Sequence, residues 1–193
     1  MIFADETKPP APTLATRLNH EGDQMSQGIV IVRGPGEGRT LLVGGGDYVT
    51  MKASGGEAGG QFCLFEISTT PGFGPPLHVH HWAEFFYVLD GEYEFQRIAD
   101  GELKTIVAGP GTSVVLPAWV PHTFRNPTGT MSRMLIMHSP AALEAFFEAL
   151  GEPVEKVGDL PSGDSVPDVS KMVEELARAG VYVVPSPSID SSA

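Results

Sequence analysis

The sequence predicts an all-β domain followed by a short helical extension. Short β-rich runs alternate with glycine between residues 28 and 139, and the chain holds 23 glycines and 17 prolines, enough for many turns. After Ser139 the apolar residues change from strand spacing to helical spacing. Many short strands joined by tight turns point to a β-sandwich or a small barrel. The 193 residues suffice for one domain with a hydrophobic core and terminal extensions. The hydrophobic fraction of 41% and charged fraction of 19% are those of an ordinary globular protein.

Taken in order, residues 1–25 are polar, rich in Pro and Thr and without period, and read as an arm. Residues 26–139 read as the barrel. Its expected strands are GIVIVRG (28–34), TLLVGGG (40–46), DYVTMKAS (47–54), QFCLFEISTT (61–70), AEFFYVLDG (83–91), EYEFQRIAD (92–100), LKTIVAG (103–109), TSVVLP (112–117), HTFRN (122–126) and RMLIMHS (133–139). Asp90-Gly91 and Asp100-Gly101 lie between alternating runs, where Asp-Gly suits a two-residue hairpin turn. Residues 140–193 read as a helical extension packed on the barrel. Ser139 is placed to cap a first helix, Pro140 suits its first turn, and Gly151 ends it, with Leu143, Phe146, Phe147 and Leu150 on one face. Val169, Met172, Val173 and Leu176 predict a second helix closed by Gly180, after which VYVVP is expected to add an edge strand or pack on the barrel.

Charge and composition exclude several functions. Twenty-four acidic and 12 basic side chains leave a net charge of −12, and the basic residues are scattered singly. Nucleic acid and anionic membrane surfaces are therefore not expected partners. No apolar run approaches the ~20 residues needed to cross a bilayer. The N-terminus lacks the basic and apolar pattern of a secretory signal. Cys63 is the only cysteine, so no internal disulfide can form, and the expected location is cytoplasmic. GPGEG (34–38) and VGGGD (43–47) do not lead into helices and are not phosphate loops. Proline disqualifies Asn126-Pro-Thr as a glycosylation acceptor.

The chemistry lies in histidines. Six occur, at 20, 78, 80, 81, 122 and 138, and three fall in PPLHVHHWAEFF. Residues two apart on a strand share a face, so His78 and His80 can both aim inward while His81 points away. Glu84 lies six residues beyond His78, about 20 Å along a straight strand. It can join those imidazoles only if the chain folds back around His81-Trp82-Ala83. The spacing then runs Gly72, five residues, His78, one residue, His80, three residues, Glu84, six residues, Gly91. A second pattern runs Gly111, five residues, Pro117, four residues, His122, three residues, Asn126.

These two patterns resemble the paired motifs of the cupin superfamily. The resemblance covers about residues 57–140. It implies a double-stranded antiparallel β-helix, or jelly-roll barrel, holding one divalent transition metal ion inside. By that resemblance His78, His80, Glu84 and His122 are the ligands. One position departs from the pattern: Trp119 stands where the second motif usually has a turn glycine. Three imidazoles and one carboxylate suit Fe, Mn, Ni, Co or Zn, and on an octahedral ion they leave two positions open.

Strand parity extends the reading to the cavity. Glu84 inward places Phe86 and Val88 inward; His122 inward places Phe124 and Asn126 inward. With Arg133 outside, Met134, Ile136 and His138 line the interior, and Leu135 and Met137 face outward, to be covered by the C-terminal helices or by a second subunit of a homodimer. The candidate substrate-binding residues are therefore Phe86, Val88, Phe124, Met134, Ile136 and His138, an apolar and aromatic set that favours a flat organic small molecule. The chain looks like the small quercetin dioxygenase-like cupins, which implies a metal-dependent dioxygenase for an aromatic or enolic compound, with Glu84 as ligand and proton acceptor. An isomerase, epimerase or lyase, and a non-enzymatic ligand-binding barrel, are the alternatives.

Overall fold

The structure is a computed structural model that describes residues 29–160 and 169–185. The expected arm (1–25) and the last residues (186–193) lie outside the described residues. The described residues fall into two units, 29–32 and those from Arg33 onward. In the first, Ile29–Val32 form no strand and are exposed, contrary to the strand expected over residues 28–34.

The second unit is built from two antiparallel sheets. In chain order its strands are β1 (Thr40–Val43), β2 (Asp47–Ala53), β3 (Cys63–Thr69), β4 (His78–Val79), β5 (Ala83–Asp90), β6 (Tyr93–Ala99), β7 (Glu102–Ala108), β8 (Ser113–Leu116), β9 (His122–Arg125), β10 (Ser132–Ser139), β11 (Glu152–Val154) and β12 (Tyr182–Val183). Among the described residues two helices, α1 (Glu144–Leu150) and α2 (Val169–Arg178), follow the barrel strands. One sheet runs β11-β1-β2-β3-β10-β5-β8 and the other β12-β4-β9-β6-β7. The outer edge of β1 is taken by β11, with Leu41 opposite Pro153. That short strand was not read from the sequence.

Alternation along the strands sets the core between the sheets. In β5 Glu84, Phe86 and Val88 are buried while Tyr87 is exposed; in β10 Met134, Ile136 and His138 are buried while Arg133 is exposed. Phe86 meets Phe95 with ring centroids 5.0 Å apart and Phe124 at 5.9 Å, near-edge contacts that favour the opposed ring quadrupoles. The outward positions Leu135 and Met137 are half-buried.

The two Asp-Gly turns differ. Asp100 and Gly101 both adopt positive φ (55° and 77°), and Ala99 pairs with Glu102, so this turn is the expected two-residue hairpin. Asp90-Gly91 is not a hairpin: β5 belongs to the larger sheet and β6 to the smaller, and the chain crosses between them. Gly91 has φ 71°, and a Cβ there would lie 2.3 Å from Ser132 Oγ, so the crossing requires glycine for both conformation and space.

The first helix begins later than expected. Ser139 caps nothing; it is the last residue of β10, paired with Ala83, and its hydroxyl donates to the Gln61 carbonyl. Sheet pairing outweighs capping preference here. Leu143, at φ 65°, turns the chain into α1, and Gly151 ends the helix. The second helix and the edge strand agree with the sequence. Gly180 (φ 79°) ends α2, and β12 pairs with β4, placing Tyr182 opposite Val79 and Val183 opposite His78.

Candidate metal centre and its cavity

Each of the predicted ligands is positioned by a different local feature. His78 in β4 and His122 in β9 are directly opposite in antiparallel register, with ring centroids 4.4 Å apart. His80 lies just past β4, where the Trp119 backbone N–H donates to its carbonyl at 2.8 Å. Its ring stacks on Trp82 at 4.2 Å and 2°. The chain folds back through His81 and Trp82, and Glu84 enters on β5. His81 is exposed, as its parity requires. One atom each from His78, His80 and His122 lies within 4.8 Å of the others, and all three residues are buried.

Hydrogen bonds set the tautomers. His78 Nδ1 lies 2.9 Å from the Pro76 carbonyl, His80 Nδ1 3.0 Å from that of Trp82, and His122 Nδ1 2.8 Å from that of Val120. A carbonyl only accepts, so each Nδ1 donates, and each Nε2 is left as the nitrogen that can bind a metal when it carries no proton. Burial, with the His122 imidazole nearby, lowers the His78 pKa to about 4 and favours that neutral form.

The site fits a cation. The buried Nε2 of His80 has no hydrogen-bond partner among the described residues. His122 Nε2 faces Glu84 Oε2 at 3.0 Å, and with neutral imidazole a lone pair there would meet a carboxylate oxygen. Such groups repel unless a cation or a proton stands between them. A divalent ion at the point where the Nε2 atoms converge satisfies all of them at once. Three neutral imidazoles with a neighbouring carboxylate are a donor set for a first-row transition ion. Anchoring each Nδ1 on a carbonyl orients the rings toward such an ion.

Glu84 also has a partner that spacing could not name. It lies opposite His138 in the β5–β10 register, and His138 Nε2 lies 2.9 Å from Glu84 Oε1. His138 Nδ1 donates to the Ala142 carbonyl at 3.0 Å, so both ring nitrogens act as donors and the pair is an imidazolium and a carboxylate. Burial opposes both charges. The Cys63 sulfur and Glu84 nevertheless raise His138 to about 10, and contacts with His122, His138 and His80 hold Glu84 well below the usual carboxylate range.

A cavity of about 350 Å³ opens beside these groups, with His78, Glu84 and His138 in its wall. Of the expected lining, Phe124, Ile136 and His138 face it. Phe86, Val88 and Met134 also point inward, but the structure places them at full burial in the packed core and not on the cavity wall. Parity gives the face of a strand but not the depth along it. The sequence reading missed Asp47 and Phe73. It read Phe146, Phe147, Met172 and Leu176 as helix faces without assigning them to the cavity they line. Phe73 lies over the loop after β1, where a Cβ on Gly46 would come 2.0 Å from its ring.

Residues 65–138 match the family model described as "Cupin domain". The two antiparallel sheets are consistent with the jelly-roll barrel of that domain, and His78, His80 and His122 form a cluster able to hold a metal ion. Among characterised proteins, the chain is 28% identical over 156 residues to quercetin 2,3-dioxygenase of Bacillus subtilis (strain 168), a match covering 80% of this chain and 44% of that protein. The chain thus matches less than half the length of that relative. Among solved structures, it resembles the polyketide cyclase RemF of Streptomyces resistomycificus (TM-score 0.51, 18% identity, 78% of this chain and 99% of that one). It also resembles ectoine synthase from P. lautus (TM-score 0.51, 17% identity, 72% and 99%). At these identities the likeness to the two structures is one of fold.

Proposed function

We propose that the chain is a metal-dependent cupin enzyme, a dioxygenase acting on a small aromatic or enolic compound, with His78, His80, Glu84 and His122 as ligands of one Fe, Mn, Ni, Co or Zn ion. The observation that carries this reading is the convergence of three buried imidazoles, His78, His80 and His122, beside a largely apolar 350 Å³ cavity whose wall includes His78 and Glu84. The similarity to quercetin 2,3-dioxygenase supports it. When bound, the ion supplies Lewis acidity and, where redox-active, access to dioxygen chemistry. The chain's own groups do the rest. Glu84 accepts the proton of an enolic or phenolic hydroxyl. His138 holds Glu84 Oε1 and so keeps Oε2 turned toward His122. The walls from Phe124, Ile136, Phe146 and Phe147 exclude water and receive a flat ring. The protein is further proposed to be a cytoplasmic homodimer that pairs through the outer face bearing Leu135 and Met137.

The His138–Glu84 pair favours a second reading. A charged acid and base in contact inside the cavity can move a proton without oxygen, as an isomerase, epimerase or lyase requires. Loading the protein with each of the five metals in turn and following oxygen consumption with quercetin and simpler enediols separates the readings. Uptake with at least one metal is expected. No uptake with any of them ends the dioxygenase reading, turnover without oxygen supports the second, and binding without turnover marks a ligand-binding barrel.

A further inference from the structure

Among the described residues, the cavity wall carries one titratable side chain besides His78, Glu84 and His138, namely Asp47. It begins β2, and its parity with Val49 turns it inward. Thr69, its register partner on β3, donates from Oγ1 to Asp47 Oδ1 at 2.6 Å. The Tyr93 hydroxyl stands 3.1 Å from Thr69 Oγ1 and 2.8 Å from the Ser132 carbonyl. Thr69, Tyr93 and Ser132 are all fully buried. The carboxylate is therefore held by an interior relay, while its second oxygen, Oδ2, has no hydrogen-bond partner among the described residues and is not sealed from the cavity.

The position of Asp47 relative to the metal centre gives this oxygen a use. Along β3, Thr69 pairs with Asp47 and Cys63 pairs with His138. Six residues of strand separate the two ends, roughly 20 Å at 3.3 Å per residue. Between them the wall is apolar, formed by Val49, Ile67 and Ile136 with Phe146 and Leu176. A ligand that reaches both ends thus meets metal-binding groups at one end, an apolar channel, and a hydrogen-bond acceptor at the other.

We propose that Asp47 is a specificity-determining residue that accepts a hydrogen bond from a hydroxyl on the end of the ligand remote from the metal centre, so that the preferred ligands are hydroxylated aromatic compounds and not their deoxy or methyl-ether counterparts. This rests on the reading that the cavity is the ligand site, but not on any particular reaction. Burial raises the Asp47 carboxyl to about 7, so a donor that restores its lost hydration is favoured there. A hydrogen bond to a buried ionised group commonly contributes a ten-fold or greater preference.

The test uses two probe pairs on the full-length protein at pH 8, by titration calorimetry. The first is 2-naphthol against 2-methoxynaphthalene on metal-free protein. The second is quercetin against 3-hydroxyflavone, which shares its chelating unit but lacks the remote hydroxyls, on Mn-loaded protein. The wild type is expected to prefer the hydroxylated member of each pair by about ten-fold. Asp47→Ala, and Asp47→Asn with its amide N–H turned to the cavity, should bring each preference within two-fold while metal content is unchanged. The Asn variant keeps an acceptor for Thr69, so a folded variant is available even where Ala destabilises. No preference in the wild type, including no binding of any hydroxylated probe, overturns the proposal, as does a preference that survives both substitutions. If quercetin binds equally well with and without metal while the Asp47-dependent preference persists, the metal-site reading fails and this one stands.

Discussion

At the residue scale the centre depends on which imidazoles point inward and what holds each ring. His122 is buried with Nδ1 on the Val120 carbonyl, whereas His81 is exposed. His122→Ala should therefore lose most of its bound metal at a fixed free-metal concentration, and His81→Ala should retain it, as read by elemental analysis of dialysed protein. Equal retention would remove His122 from the ligand set. His138 depends on a different property. Removing it leaves the buried Glu84 carboxylate without its imidazolium partner, so His138→Ala should cost about 3 kcal/mol in metal-free protein. Less should be lost in metal-loaded protein, where a cation offsets the carboxylate. Urea unfolding of both forms gives the comparison, and equal losses would show that the pair and the metal centre are independent. Parity along β5 and β10 placed Glu84 and His138 inward from sequence alone. That they face each other is a matter of register, which depends on pairing between segments over forty residues apart.

At the element scale the loop before β9 shows how the fold overrides a local preference. Trp119 stands where the cupin pattern has glycine, yet the backbone keeps the glycine conformation, with φ 66°. The bond from its N–H to the His80 carbonyl holds the turn in place. A side chain at positive φ costs about 1 kcal/mol, and at 62% exposure Trp119 recovers little by packing. Trp119→Gly should therefore leave the melting temperature unchanged or raise it by a few degrees, the relief being partly offset by the greater entropy of unfolded glycine. Trp119→Val, β-branched at the same φ, should lower it. A large loss on Trp119→Gly would mean that the indole packs more than its exposure indicates. The same tension explains α1. Ser139-Pro140 reads as a helix start, but the pairing of β10 extends through Ser139, and the helix waits until Glu144.

At the scale of the whole molecule, Asp47 couples the cavity to pH. Its carboxyl is raised to about 7 in the fold against 3.8 for an unburied group. The folded state therefore holds its proton where the unfolded state has released it, and stability is lost as pH rises from about 4 to about 7. At 1.36 kcal/mol per unit this amounts to at most about 4 kcal/mol, reduced by whatever water the cavity admits. Asp47→Asn should gain stability over the wild type as pH rises through that interval, with little difference at pH 4. A constant difference across pH would show that Asp47 is not the titrating group. The outer face poses a separate question. Leu135 and Met137 are half-buried, and Tyr87 and Val115 on the same side are exposed at 38% and 65%. If this face pairs two copies, light scattering should give twice the 20.5 kDa chain mass, and Val115→Arg should halve it. A monomer mass for the wild type would leave the face unpartnered.

The sequence by itself determined the β class, the inward parity of the strands that carry His78, Glu84, His122 and His138, and the set of imidazoles, because side-chain alternation and motif spacing are local properties of the chain. It also determined the second helix and its closing glycine. Only the tertiary structure decided which segments pair. Ile29–Val32 form no strand, β1 takes β11 on its outer edge, and pairing sends Asp90-Gly91 across two sheets instead of around a hairpin. It set His138 against Glu84 and brought Asp47 to the far end of the cavity. These are long-range contacts. Their partners are chosen by the burial and hydrogen-bond satisfaction of the whole barrel, which no window of the sequence contains.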